Sequence, residues 1–167
     1  QARKFGVETL QEQQVERIEP SAEYCLVRLS DTSAYNAHAV LIATGADYRK
    51  LNAKGEDDFI GAGIHFCATC DGPFYKGTEQ IVVVGGGNSA VEEGLFLTKF
   101  AKQVTLLVRG DRLTASQFAQ DKILEMPNAV EVKFNTTIVE FRGEGKLETV
   151  VTKNFQTSAI KELHPAA

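Results

Sequence analysis

The sequence predicts an α/β fold: a central parallel sheet flanked by helices, with a small antiparallel β-meander. Three observations predict it. The run QIVVVG, from Gln80, is continuously apolar, as a strand buried on both faces of a parallel sheet must be. It passes directly into GGNSAVEEGLFLTKFA, where Ala90, Val91, Gly94, Leu95 and Thr98 fall at helical spacing, and then into the strand-like QVTLLVRG. That is one βαβ unit. Later, VEVKF, TIVEF and KLETVVT read as three short strands, the last two joined by the hairpin signal Arg142-Gly143-Glu144-Gly145-Lys146.

Ahead of the βαβ unit, residues 5–45 alternate as strands do, in GVETLQEQQVERI, EYCLVRL and HAVLIATG. Cys25, Val27 and Leu29 share one face of the second run, and Cys25 reads as a buried small hydrophobe. The third run stops sharply on Thr44-Gly45. DYRKLNAKGEDDFIGAG is polar and glycine-rich and reads as a connector, so a domain boundary is expected at residue 46. After the βαβ unit, SQFAQDKILEM is a further helix closed by Pro127. The tail FQTSAIKELHPAA ends without a stop signal, and the chain does not begin with Met. Both features suggest a piece of a longer protein.

Composition narrows the function. A net charge of −4 with both signs interspersed gives no footprint for nucleic acid or an anionic membrane. No apolar run approaches the roughly 18 residues that span a bilayer, and QARKFGVETL has no signal-peptide core. The chain's 167 residues suit one well-filled domain rather than two of ordinary size. Its three cysteines do not make a disulfide scaffold. A cytoplasmic setting is therefore expected, where a CxxC is more often catalytic or metal-binding than structural.

Gly85-Gly86-Gly87-Asn88-Ser89-Ala90 fits G-x-G-x-x-A, after an apolar strand and at the opening of a helix. In that context the first glycine permits the tight turn and Gly87 lets a pyrophosphate approach the backbone. Ala90 lets the helix pack closely on the strand. Free N–H groups and the helix dipole then face the phosphates. The alternative is a glycine-rich βα turn with no ligand. NAD sites carry an acid at the end of the second strand, but that position here reads Val108-Arg109-Gly110, with Arg112 following. A guanidinium suits a 2′-phosphate, which favours NADP(H). Otherwise both arginines are solvated loop residues, within reach of Asp111.

HFCATCDGPF places Cys67 and Cys70 three apart, with Asp71 next. Three readings compete. Structural zinc needs four ligands, yet only Cys25 and the scattered His38, His65 and His164 are available, so no metal site is expected. A permanent staple across two residues closes too small a loop to stabilise much. A reversible disulfide needs close thiols, one with a depressed pKa, and a proton source. The spacing supplies the first, a helix N-terminus or His65 the second, and Asp71 the third. The residues favour this redox reading. Thiols and nicotinamide do not react well directly, so a flavin intermediary is implied, although the chain has no second glycine fingerprint.

CATCDG, VVVGGGNSAVEEGLFLTKFA and LLVRGDRLTAS together resemble the NADPH domain of low-molecular-weight thioredoxin reductases, which have a Rossmann-like FAD/NAD(P)-binding fold. The resemblance covers essentially the whole chain. It implies a partial FAD-domain segment at 1–46, an NADPH-binding domain with the CxxC at 47–154, and the start of the return to the FAD domain at 155–167. It also implies a flavin that NADPH reduces and that reduces the Cys67–Cys70 disulfide in turn, with thioredoxin as the final acceptor and a rotating NADPH domain. By position, Cys70 is the flavin-facing thiol and Asp71 the proton donor. Gly85 to Ala90 hold the pyrophosphate, Glu92 or Glu93 lies near the ribose, Arg109 meets the 2′-phosphate, and Thr44 and Gly45 touch FAD. Full-length members are homodimers, and a chain lacking most of the FAD domain is expected not to turn over alone.

Two departures stand out. The family's phosphate clamp reads His-Arg-Arg and a later Arg, where this chain has Val108-Arg109-Gly110 and Thr114. The family's Pro-Gly-Glu linker is Lys54-Gly55-Glu56. The alternatives are a related reductase using NADH or ferredoxin, the glycine turn weighing against ferredoxin, and a non-enzymatic nucleotide-binding module with a zinc or redox-sensor CxxC.

Overall fold

Strands β1 (Val15–Pro20), β2 (Cys25–Leu29) and β3 (Ala34–Ala37) pair in that order as an antiparallel meander. Cys25 stands opposite Pro20 on one side and Ala37 on the other. The computed structural model describes residues 2–45 and 47–167, so the expected boundary at residue 46 lies outside the described residues. The chain divides into two compact units between Asp47 and Tyr48.

The first unit corrects two expectations. HAVLIATG is not a strand: residues 38–45 carry no regular structure, and Leu41 and Ile42 are exposed. An apolar run becomes a strand only when a neighbour accepts its backbone bonds, and β1–β3 is the whole sheet of this unit among the described residues. Cys25 is half-buried rather than fully buried, because the meander has little to pack against and Leu29 is its one buried side chain among them.

In the second unit, β4 (Thr78–Val84), β5 (Ala101–Leu107) and β6 (Val130–Lys133) form a parallel sheet, with Ile81 level with Val104 and Val104 level with Val130. Helix α2 (Asn88–Leu97) is the β4–β5 crossover, and α3 (Gln117–Leu124) lies in the β5–β6 crossover. Ser116 caps α3, its hydroxyl accepting from Ala119 N–H. Successive residues of β5 point to opposite faces. Leu106 joins Val91, Ala119 and Ile123 under the helices. Leu107 joins Ile138, Phe141 and Val150 on the other side. Those residues belong to a second meander, β7 (Thr136–Arg142), β8 (Thr149–Asn154) and β9 (Ile160–Leu163). The layers are therefore helices, parallel sheet, meander.

The expected α/β class is present, with three adjustments. VEVKF closes the parallel sheet, and the third strand of the meander comes from the tail. Ala166 N–H then donates to the Gln80 carbonyl and Val82 N–H to the Ala167 carbonyl, so the last residues run along the free edge of β4. The supposed connector is also built into this unit. Phe59 sits in the core, and the buried Glu56 carboxylate accepts from Leu51 and Asn52 N–H. No helix among the described residues is long and apolar enough to cross a membrane.

Candidate active site

The glycine turn is shaped by what crowds it. Gly85 has φ +137°, and a Cβ there would lie 2.9 Å from Ala90 Cβ. A Cβ on Gly86 would lie 2.8 Å from Val108 Cγ1. Gly87 differs, since its Cβ would meet only Thr114 Oγ1, at 3.8 Å. Two glycines thus admit close packing inward, and the third leaves an outward approach open. The Gly86 carbonyl accepts from Thr114 N–H and Ala115 N–H, and Asn88 Oδ1 accepts from Ser116 N–H, tying the turn to the 114–116 loop. Gly87 is the N-cap of α2 and no side chain caps it. The first-turn N–H groups therefore remain available to an anion. Asn88, Ser89, Glu92 and Glu93 are exposed on this turn. Val108 is buried, while Arg109 and Arg112 beyond it are exposed.

The cysteine turn is lighter. Cys67 is the N-cap of the one-turn helix α1 (Ala68–Asp71), and no residue of that helix is buried. Cys70 and Asp71 N–H both donate to the Cys67 carbonyl, at 3.1 and 3.0 Å. This brings the Cα atoms of Cys67 and Cys70 to 5.3 Å, and the two sulfurs form a disulfide. Cys70 is exposed and Cys67 half-buried. A zinc site here would need His65, but its Nε2 faces the Tyr75 hydroxyl and its Nδ1 faces Asp71. Among the described residues no three His, Cys, Asp or Glu side chains converge on a metal position.

A cleft of about 460 Å³ is lined by Cys67 and Asp71 and by Ser89, Ala90 and Glu93 at the start of α2. Gly85, Gly86, Gly87, Asn88, Cys70, Glu92, Arg109 and Arg112 are not among its lining residues. Thr44 and Gly45 lie exposed in the first unit. Sequence reasoning missed Tyr75 altogether. Its only signal was an aromatic with a polar tip shortly after the cysteines, in GPFY.

The family model described as pyridine nucleotide-disulphide oxidoreductase matches residues 1–162. Thioredoxin reductase of Bacillus subtilis is 43% identical over 162 residues, which is 96% of this chain and 50% of that protein. Thioredoxin reductase of Listeria innocua is 48% identical over 120 residues, 72% of this chain and 37% of that protein. The crystal structure of thioredoxin reductase from Streptococcus pyogenes superposes with a TM-score of 0.73 at 36% identity, covering 99% of this chain and 53% of that one. The chain spans about half the length, or less, of the relatives it matches.

Proposed function

The chain belongs to the pyridine nucleotide-disulphide oxidoreductase family, and from that premise we propose that it is the nucleotide-binding portion of an NADPH-dependent thioredoxin reductase. One observation carries the reading: the start of α2, just after the uncapped Gly87, and the cysteine turn line a single cleft, through Ser89, Ala90 and Glu93 on one part and Cys67 and Asp71 on the other. In the intact protein, residues 1–46 and 155–167 belong with a FAD domain, the chains pair as homodimers, and the setting is the cytoplasm.

The glycine turn fits a nicotinamide dinucleotide. Gly85, Gly86 and Gly87, with the N–H groups of Asn88, Ser89 and Ala90, hold the pyrophosphate. Glu92 or Glu93 bonds the ribose, and Arg109 and Arg112 meet the 2′-phosphate. The described residues do not by themselves fit a flavin, since they offer Thr44 and Gly45 alone. When bound, the nicotinamide would supply a hydride, two electrons that would reach the disulfide only by way of a flavin intermediary. Cys67 and Cys70 alternate between disulfide and dithiol, and each reduction consumes two electrons and two protons. Asp71 gives or receives the proton at the sulfur, and the dithiol passes its electrons to the disulfide of a thioredoxin-like partner.

Parallel calorimetric titrations with NADPH and NADH test the nucleotide assignment. The expected result is a preference for NADPH of about tenfold or more that Arg109→Ala abolishes, the size of a lost charge-assisted contact. Equal affinities would overturn it in favour of a relative using another donor, a reading that Gly110 and Thr114 at the clamp positions favour.

A further inference from the structure

Beside the disulfide, His65 and Tyr75 form a polar pair that the reading above does not use. His65 Nε2 lies 2.6 Å from the Tyr75 hydroxyl, and the rings meet edge to face with centroids 5.5 Å apart. On the other side of the imidazole, Nδ1 lies 3.5 Å from Asp71 Oδ2, longer than a tight hydrogen bond. The side chains of His65 and Asp71 are only 21% and 30% exposed. All three line the cleft with Cys67. The chain sets this up locally. His65 follows the Ile60–Ile64 bridge, and Tyr75 ends a 3-10 turn that continues directly from α1.

Burial, reinforced by the charge of Asp71, raises the Tyr75 hydroxyl above its ordinary value, so it remains a donor at neutral pH. A neutral His65 that accepts from Tyr75 at Nε2 carries its own proton on Nδ1, toward the Asp71 carboxylate. The other charged residues lining the cleft are Arg49, Glu56 and Glu93. Glu56 is already committed to the Leu51 and Asn52 N–H groups.

We propose that His65, oriented by Tyr75, is a positioning residue that holds Asp71 for proton transfer at the Cys67–Cys70 pair. The role rests on the redox reading of that pair. In the outward half-reaction one thiol gives its proton to Asp71, and the thiolate attacks a sulfur of the partner disulfide. A mixed S–S bond forms, the partner's S–S bond breaks, and Asp71 returns the proton to the leaving thiolate. The second thiol then loses its proton by the same route and closes the Cys67–Cys70 bond, expelling the partner's other sulfur. Two electrons and two protons leave with the partner.

The test uses the protein reduced with dithiothreitol, freed of reductant, and mixed in a stopped-flow instrument with 5,5′-dithiobis(2-nitrobenzoate), whose leaving thiolate is coloured. Unaltered protein, His65→Ala, Tyr75→Phe, Asp71→Asn and the His65→Ala/Asp71→Asn double variant are compared across pH. A positioned carboxylate matters most where free thiolate is scarce. His65→Ala is therefore expected to slow the reaction about tenfold near pH 6, the loss shrinking toward pH 9. Tyr75→Phe keeps the ring and is expected to bend the profile the same way by a smaller factor. In the Asp71→Asn background the His65 effect is expected to vanish. Profiles of His65→Ala and Tyr75→Phe that overlay the unaltered protein overturn the proposal, as does a His65 effect that persists without Asp71. An unaltered protein whose cysteines neither reduce nor react overturns the redox reading itself, and this role with it.

Discussion

Helices α1 and α2 line the same cleft, but the cysteine turn and the glycine turn that open them are held in different ways. Gly85 and Gly86 are wedged against Ala90 and the buried Val108, and α2 behind them buries Val91, Gly94 and Leu97. The cysteine turn leads into a helix of four residues with none buried. The contrast suits the role proposed for each. Backbone N–H groups recognise a pyrophosphate only if they are already aligned, so that turn is anchored in the core. The proposed redox pair has to be reachable, and Cys70 is exposed, while α1 is held by backbone bonds, polar contacts and the packing of Ala68 and the buried Gly72 beside Leu97 and Phe100. The lesson is that two turns beside one cleft are anchored to different depths, the proposed binding turn more firmly than the proposed reactive one.

The largest expected effect breaks the rigid side. Gly86→Val drives a branched side chain into Val108 and is expected to cost roughly 1–3 kcal/mol by overpacking, seen as a lower midpoint in urea, with nucleotide binding lost as well. A Gly86→Val protein as stable as the original would show that the turn is not core-anchored. Next comes opening the disulfide. Because no residue of α1 is fully buried, reduction or Cys70→Ser should leave the circular dichroism spectrum unchanged and cost at most about 2 kcal/mol, the loop-entropy value for so short a ring. Loss of cooperative unfolding on reduction would mean the pair is a structural staple.

Gly87→Ala sharpens the comparison within the rigid turn itself. Its Cβ meets nothing closer than Thr114 Oγ1, so stability should hold while NADPH affinity falls about tenfold, or 1.4 kcal/mol, as the outward approach is blocked. Calorimetry beside a thermal melt separates the two. The smallest effect belongs to the ion network around Glu140 of β7. Arg142 first, and then Lys54, hold the Glu140 carboxyl down at about 2. A depressed carboxyl stabilises the folded state above its ordinary value of 4.5 and loses that contribution as pH falls through about 2. Glu140→Gln should therefore lower the thermal midpoint slightly at neutral pH, and the difference should close in that acid window. Neither turn should notice. A change in nucleotide binding or thiol reactivity would show coupling that the comparison denies.

Much of this was legible in the chain itself. The strand, glycine turn and helix from Gln80 to Leu97 were readable because continuous apolar character, G-x-G-x-x-A and helical spacing are local signals that agree with one another. Cys67, Cys70 and Asp71 were readable as a group because adjacency in sequence already guarantees proximity. Other features carried no such signal. VEVKF looks the same whether it closes a parallel sheet or starts a meander. IKEL in the tail alternates too briefly to stand out, yet it is β9. HAVLIATG has the composition of a strand and, among the described residues, no neighbour to make it one.

What the sequence by itself determined is therefore short-range: where chains turn, which runs are apolar, and which chemistries sit within a few residues of one another. Only the tertiary structure decided which strands pair, that Leu106 and Leu107 serve opposite layers, and that the helices opened by the glycine and cysteine turns line one cleft. It alone placed the two polar ends of one imidazole against Asp71 and Tyr75. The physical reason is that backbone propensity and periodicity act over one or two turns of chain. Pairing, burial and the facing of side chains depend on segments far apart in sequence, whose contacts form only when the layers close.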